Sequence, residues 1–498
     1  MSKADVMLPL NQLAFSVIDL KTTERWWREG LGFLPAGGSR LLFRGPVMDA
    51  IQGIRGVATT CWCLLGRNDW AQVEMFQYES PISKLMPLDF KPNHIGYTRC
   101  GFWVADLDQT LANLARLGTR PLTPPIGEKG QRRVCVRNPD GVYVELMQDD
   151  PLPHQNGRGR IDCPVAIRSA TMSTPDMQQT VAFLTSGLGM REVPLKLHDD
   201  AHEVLWGLAG AACERRVFQD GSGHATMLLE VVEYRAPRGV PRPLDYRICD
   251  QGMLNICFGD ARSRRGVTAM RDRAVAAGAR PNSRIINIPI SGCVYVNDPL
   301  GFSYEFMWAA PGRGHRNYGF VVAALDARPQ LDNQRIECTA HVDASPAPVF
   351  AVLADHAGFS AWAGWGRLGV DRLREQVIGH EPDAMLRYRV VADWPFLGYI
   401  GEVRMAPEDA GTRVVWSIRF RSRIPGLGAP LRWLLRRKLT DTLTQRLPAH
   451  LANLASPAIP STSLLGNPAM PTVRLILINI LVSALVVAAG HALSYIFG

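Results

Sequence analysis

Alternation of apolar and polar residues marks the first strands of this chain. AFSVIDL (Ala14–Leu20) has the period of two of a half-buried strand, and the stretch after it, up to Gly30, has the length of a short helix. The pattern returns after about 157 residues. TMSTPDM (Thr171–Met177) leads in the same way to Gly187. The two stretches end alike, because NPDGVYVELMQ (Asn138–Gln148) matches NDPLGFSYEFMW (Asn297–Trp308): a Pro/Gly turn feeding a strand with one Glu. Within each stretch, strand-then-helix recurs as CGFWVADLDQTLANLARLG (Cys100–Gly118) and NICFGDARSRRGVTAMRDRAVAAG (Asn255–Gly278). The chain is predicted to hold two units, 8–150 and 163–310, each built of two strand–helix–strands halves.

The pattern changes after a polar linker, Ala309–Gln334. A strand is predicted at Ile336–Val342, a helix at Ala344–Asp355, and a further strand at Thr412–Phe420. A long helix closes this 335–455 domain, with Leu at 431, 435, 439, 443, 447 and 451 in an i, i+4 stripe and a kink predicted at Pro448. A Pro/Ser linker (456–472) then leads to Leu475–Phe497, which carries no formal charge. At 1.5 Å per residue that segment is about 34 Å long, enough for a hydrocarbon core of about 30 Å. It is predicted to be a single transmembrane helix. The N-terminus shows no secretory signal and basic residues precede the span, so the expectation is a tail anchor in the cell inner membrane, with the bulk facing the cytoplasm.

Composition narrows the picture. The 498 residues suggest about three domains, and 47% hydrophobic with 20% charged residues exclude wholesale disorder, collagen and a pure coiled coil. The net charge of +9 comes mostly from scattered arginines, and the one tight basic cluster, Arg432–Lys438, sits near the apolar tail. This favours an anionic membrane surface over nucleic acid as a partner. The 10 Cys include no CxxC pair and read as reduced thiols; Cys61 and Cys63 stand together but isolated, too few for a zinc site. There is no P-loop, dinucleotide fingerprint, GxSxG elbow or HExxH.

The doubled organisation resembles the vicinal oxygen chelate (VOC) superfamily, which includes glyoxalase I, extradiol dioxygenases and bleomycin-resistance proteins. The resemblance covers about 8–150 and 163–310 and implies an α+β fold of paired βαβββ halves, each unit curling its sheet around a cavity. Residues 335–455 resemble the START/polyketide cyclase (SRPBCC) fold, a helix-grip domain that wraps a hydrophobic ligand.

In the VOC superfamily each half offers one residue from its first strand and one from its last to a divalent metal. Seven positions before the strand-end residues Asp19 and Asp106 stand Gln12 and Arg99, and the last strands carry Glu74 and Glu145. The resemblance thus implies Gln12, Glu74 and Glu145 as ligands of Fe, Mn, Ni or Zn, with Glu145 a candidate general base. Arg99 has no lone pair to offer. Either its guanidinium points at Glu74 and Glu145 and replaces the ion, or it contacts an anionic substrate. The same count in the second unit gives Ser169 and Met253 with Glu230 and Glu305, a set that reads as degenerate because Ser and Met suit a hard ion poorly. The plain alternative for all four Glu is a satisfied polar lining.

Two function classes follow. One is a membrane-anchored enzyme, a lyase, isomerase or dioxygenase, acting on a small hydrophobic or aromatic carbonyl or phenolic compound. The other is a non-catalytic, sequestering binder whose metal sites have decayed. A structural scaffold is a third class, and a homo-oligomer is compatible with all three.

Overall fold

The computed structural model describes residues 7–39, 42–153, 159–223, 227–329, 334–363, 374–391 and 396–455. Its N-terminal part contains four similar halves. The first comprises β1 (Leu10–Val17), α1 (Leu20–Arg25), β2 (Leu34–Gly38), β3 (Phe43–Arg44), α2 (Pro46–Gln52), β4 (Ala58–Leu65) and β5 (Gln72–Ser80). The second has β6 (Gly96–Val104), α3 (Leu107–Arg116), β7 (Arg133–Arg137) and β8 (Tyr143–Met147). The third has β9 (Val165–Ser173), α4 (Met177–Ala182), β10 (Arg191–Glu192), β11 (Ala212–Gln219) and β12 (Leu228–Ala236). The fourth has β13 (Gly252–Asp260), α5 (Arg264–Ala276), β14 (Arg280–Pro281), β15 (Ile286–Ile288), β16 (Ser291–Asn297) and β17 (Ser303–Ala309), with α6 (Arg313–Asn317) behind it.

The strand-end acids are helix caps. Asp19, Asp106 and Asp176 each accept a hydrogen bond from the backbone N–H three residues on, at Thr22, Gln109 and Gln179. In the fourth half the cap is Ser263, and Asp260 only accepts from the turn before it.

The halves do not pair as the units run. β1 lies between β5, parallel, and β13, antiparallel; β6 lies between β8, parallel, and β9, antiparallel. The first half therefore shares a cup with the fourth, and the second with the third. This corrects the expectation that 8–150 and 163–310 each enclose their own cavity. Every first strand offers the same open edge, so the repeat alone cannot say which edges meet. The helix side does follow the units: the Trp27 ring lies 5.1 Å from Phe102 and the Phe183 ring 5.6 Å from Tyr304. Strands thus join one unit to the other while helices join the halves within a unit, and first strands such as β1 and β9 are buried along their whole length.

The third domain contains β18 (Gln334–Val342), α7 (Pro346–Ala354), α8 (His356–Ala363), β19 (Arg374–Glu381), β20 (Met385–Val391), β21 (Phe396–Glu408), β22 (Gly411–Ser422), α9 (Gly428–Asp441) and α10 (Leu447–Ala455). Its antiparallel sheet runs β18-β22-β21-β20-β19. Strand β22 alternates: Val414, Trp416, Ile418 and Phe420 are buried beneath the helices, while Arg419 and Arg421 take the opposite face. The leucine stripe packs inward as its spacing predicts, with Leu435, Leu439, Leu443 and Leu447 buried. Before Pro448 the helix widens through Thr442–Arg446, which accommodates the hydrogen bond that proline cannot donate.

Met1–Ala449 form one compact unit, and His450–Gly498 a second, of which only the end of α10 is described. The linker 456–472 and the apolar segment 475–497 lie outside the described residues. Among the described residues no helix is long and apolar enough to cross a membrane.

Candidate functional site

In the cup of the first and fourth halves, strand register sets which side chains meet. Directly paired residues share a face. Gln12 opposes Cys257 and Ala14 opposes Asn255; alongside, Ala14 pairs with Glu74, Cys63 with Glu74, and Cys257 with Glu305. Gln12, Glu74, Asn255 and Glu305 therefore line one floor, with Cys61 and Cys63 on β4 beside them. The Gln12 amide donates to Glu74 at 2.6 Å and to Glu305 at 3.2 Å, and accepts from Gln72 at 2.6 Å. The Cys61 thiol donates to Glu74 at 3.2 Å.

This cup is acidic and lacks a compensating cation. Glu74 and Glu305 are buried, and among the described residues no Lys, Arg or His pairs with either. Burial pushes the Glu74 carboxyl up to about 7. Burial and then the neighbouring Glu74 charge push Glu305 well above the carboxylate range. The Cys61 thiol is pushed up too, by its hydrogen bond with Cys63, by burial and by Glu74. Both polar atoms of the Asn255 amide are buried without a hydrogen-bond partner, as is Gln72 Oε1. One Oδ1, one amide oxygen from Gln12 and two carboxylates make a hard donor set that fits a divalent ion. The sulfurs of Cys61 and Cys63 and a Glu74 oxygen lie within 4.8 Å of one another, so softer donors are also at hand. The two thiols are thus not isolated, as their spacing in sequence suggested.

The mouth of this cup is closed by the chain itself. A Cβ on Gly319 would fall 2.3 Å from the Cys63 Cβ and 2.9 Å from Gln72 Oε1, and its φ is +72°. Next to it Phe320 stacks on Trp70 at 3.9 Å.

The cup of the second and third halves has the opposite chemistry. Its floor carries Arg99, Glu145, Ser169, Thr171 and Glu230, which face one another across β8, β6, β9 and β12. His198, from the loop after β10, bridges the two acids: Nε2 lies 2.7 Å from Glu145 and Nδ1 2.9 Å from Glu230. Arg99 donates to Glu230 at 2.8 Å and stacks 3.7 Å over Trp206; Arg133 lies 3.4 Å from Glu145. Burial pulls the imidazole down, yet the two carboxylates hold it at about 9. The same contacts outweigh burial at Glu145 and Glu230, bringing both to about 2. Acids and bases thus form an ion cluster, in which Arg99 Nε and Nη1 are buried without a hydrogen-bond partner. The two ring nitrogens of His198 point apart, so Glu145 and Glu230 lie on opposite edges of the imidazole and do not converge on one ion. These residues do not fit a metal.

The site residues read from the sequence are therefore regrouped. Gln12 and Glu74 stand with Glu305; Glu145 and Arg99 stand with Glu230 and Ser169. Arg99 pairs with Glu230 rather than with Glu74. Glu145, the candidate general base, is held by His198 and Arg133 well below the ordinary carboxylate range. Glu305, assigned to a degenerate set, belongs to the cup that fits an ion. In place of Met253, which packs in the core on the far face, Asn255 faces that floor. The count missed it because Ser263, not Asp260, caps α5 and a bulge shifts the register. His198 carries no periodic signal, since it lies in an irregular loop.

The third domain presents a different surface. Beneath its helices lie Tyr388, Tyr399, Trp416, Phe396 and Phe420, joined by Phe359 at 5.8 Å from Trp416. The Trp416 indole N–H donates to the Tyr388 hydroxyl at 3.0 Å, and Tyr388 and Tyr399 are hydrogen-bonded to each other.

Comparison with known proteins finds one family match, in the third domain. Residues 333–456 match the family described as polyketide cyclase/dehydrase and lipid transport. Glyoxalase I from Zea mays is similar in structure at 16% identity, covering 63% of this chain and 93% of its own, with a TM-score of 0.41. A glyoxalase family protein from Bacillus cereus is 16% identical over 28% of this chain and 94% of its own, with a TM-score of 0.25. The XoxI protein from Bacillus cereus is 14% identical over 25% of this chain and 99% of its own, with a TM-score of 0.21. No curated protein sequence matches. Residues 333–456 thus form a polyketide cyclase/dehydrase-type (SRPBCC) domain, set behind two units whose structural neighbours are glyoxalase-type proteins.

Proposed function

We propose that this chain binds and transforms a small, largely apolar molecule beside a membrane, and that its reactive centre is the cup formed by Gln12, Glu74, Asn255 and Glu305. The observation that carries this reading is the pair of buried carboxylates without a cation, facing an amide whose Oδ1 and Nδ2 are both unpartnered. A divalent ion held there supplies Lewis acidity toward adjacent substrate oxygens. Gln12 and Asn255 would present amide oxygens to it, and Glu74 and Glu305 charge. Turning the Gln12 amide about its last bond exchanges Nε2 for Oε1 at the same point. Burial holds Glu74 at about 7 when no cation is bound, so an ion taken up there would displace a proton near neutral pH. Gly319 and Phe320 keep water from the floor, so a substrate enters only when that segment lifts.

The aromatic inner face of the SRPBCC domain supplies a second compartment for an apolar molecule, and the charge-free segment 475–497 supplies an anchor where such molecules partition. That aromatic face also favours the second reading, a binder without catalysis.

Metal analysis of the purified full-length chain separates the two. Expected is near-stoichiometric divalent metal that is lost in Glu74→Ala and Glu305→Ala but kept in Arg99→Gln. A metal-free protein, or metal retained in both Glu variants, overturns the metal centre and leaves the binder.

A further inference from the structure

We propose that the cleft between α1 and the outer face of the five-stranded sheet is a binding site for a phosphate-bearing anion. The site lies on the face opposite the aromatic side of the SRPBCC domain and does not depend on the metal centre. The cleft holds about 710 Å³. The sheet lines it with Arg335, Arg387, Arg404 and Arg419, α1 with Lys21 and Arg25, and α9 with Arg432. Among the described residues two carboxylates line it, Asp19 and Glu402.

Both carboxylates are already engaged. Asp19 accepts from Arg419, and Glu402 is forked between Arg387 Nε at 2.8 Å and Arg404 Nε at 2.6 Å. Glu29 beside Arg25 (2.7 Å) and Glu337 beside Arg335 (3.2 Å) add two more acids outside the lining, which still leaves bases in excess. The field is felt by the acids themselves: against burial, Arg419 holds Asp19 at about 2, and Arg387 with Arg404 lowers Glu402. An excess of more than one positive charge calls for a dianion or polyanion rather than a single carboxylate. Guanidinium forks match phosphate oxygens bidentately.

The arginines are also pre-positioned. Arg335, Arg387, Arg404 and Arg419 project from neighbouring strands in fixed register: Arg335 pairs with Arg419 and Arg387 with Glu402. Gln334 and Ser417 add neutral donors. The volume exceeds that of a phosphate group, so an organic portion fits as well. The same chemistry is met by a soluble phosphate ester or by a phospholipid headgroup; Trp433, 64% exposed beside Arg432 on α9, would suit the latter.

Full-length protein in detergent is titrated with inorganic pyrophosphate at low and high salt. In parallel it is floated with phosphatidylcholine vesicles with and without phosphatidylglycerol. The double variant Arg25→Gln/Arg335→Gln removes two bases that pair with the surface acids Glu29 and Glu337, and Arg404→Gln serves as a second, independent variant. Expected is salt-sensitive binding that weakens about tenfold in the double variant. Binding of pyrophosphate identifies a soluble ester; retention only on phosphatidylglycerol vesicles, weakened by the same substitutions, identifies a headgroup. Failure to bind either probe, or binding undiminished in both variants, overturns the site.

Discussion

At the scale of residues, two sets of glutamates on equivalent strands have opposite fates because of what stands beside them. Glu145 and Glu230 meet His198, Arg99 and Arg133 and remain ionised; Glu74 and Glu305 meet amides and thiols and take up protons when no cation is present. His198→Gln leaves two buried carboxylates short of one positive charge, a loss of about 3–5 kcal/mol by the usual cost of breaking a buried pair. Denaturation of wild type and variant measures it. Because the folded pKa of His198, about 9, lies above its unfolded value of 6.5, its stabilisation is complete below the latter. It is lost as pH rises toward 9, whereas Glu145 and Glu230, lowered to about 2, lose theirs only as pH falls below 4.5. The melting temperature of the wild type should therefore decline between pH 6.5 and 9, and that decline should be shallower in His198→Gln, where the raised Glu74 and Glu305 carboxyls still contribute; the same slope in both would contradict the ion cluster. Gly319→Ala should destabilise by about 1–3 kcal/mol, since a Cβ meets Cys63 and positive φ strains any other residue. An unchanged urea midpoint would show that the plug is not seated.

At the scale of elements, much was legible in the sequence and one thing was not. The strand–helix repeat, the Asp caps and the four last-strand glutamates all have local signatures, and the structure places those glutamates on the floors of the cups. Which first strands pair has no local signature, because β1, β6, β9 and β13 offer equivalent edges. Asn255 was hidden by a cap that changed from Asp to Ser, and His198 by a loop without period. The cross-unit pairing has a direct consequence. A fragment of residues 8–150 leaves the edges of β1 and β6 open, so it should dimerise or aggregate, while 8–320 stays monomeric; light scattering after gel filtration reads the difference. A well-folded monomer of 8–150 would contradict the pairing. The caps can be ranked as well. Asp176→Ala loses a cap alone, about 1 kcal/mol. Asp19→Ala should cost more, since Asp19 also holds Arg419 of the third domain.

At the scale of the molecule, the SRPBCC domain is bound to the first half by polar contacts: the Asp19–Arg419 pair, Arg389 donating to the Ser83 carbonyl at 2.5 Å, and the Gly398 N–H donating to Glu79 at 2.9 Å. These put the aromatic face of the third domain and the acidic cup into one compact unit. The most direct test of that arrangement is anomalous diffraction from crystals of the full-length chain grown with a divalent transition metal. Expected is one strong peak bounded by Glu74, Asn255 and Glu305, and no peak between Glu145 and Glu230. A peak at the His198 cluster, or none at the acidic cup under saturating metal, would contradict it.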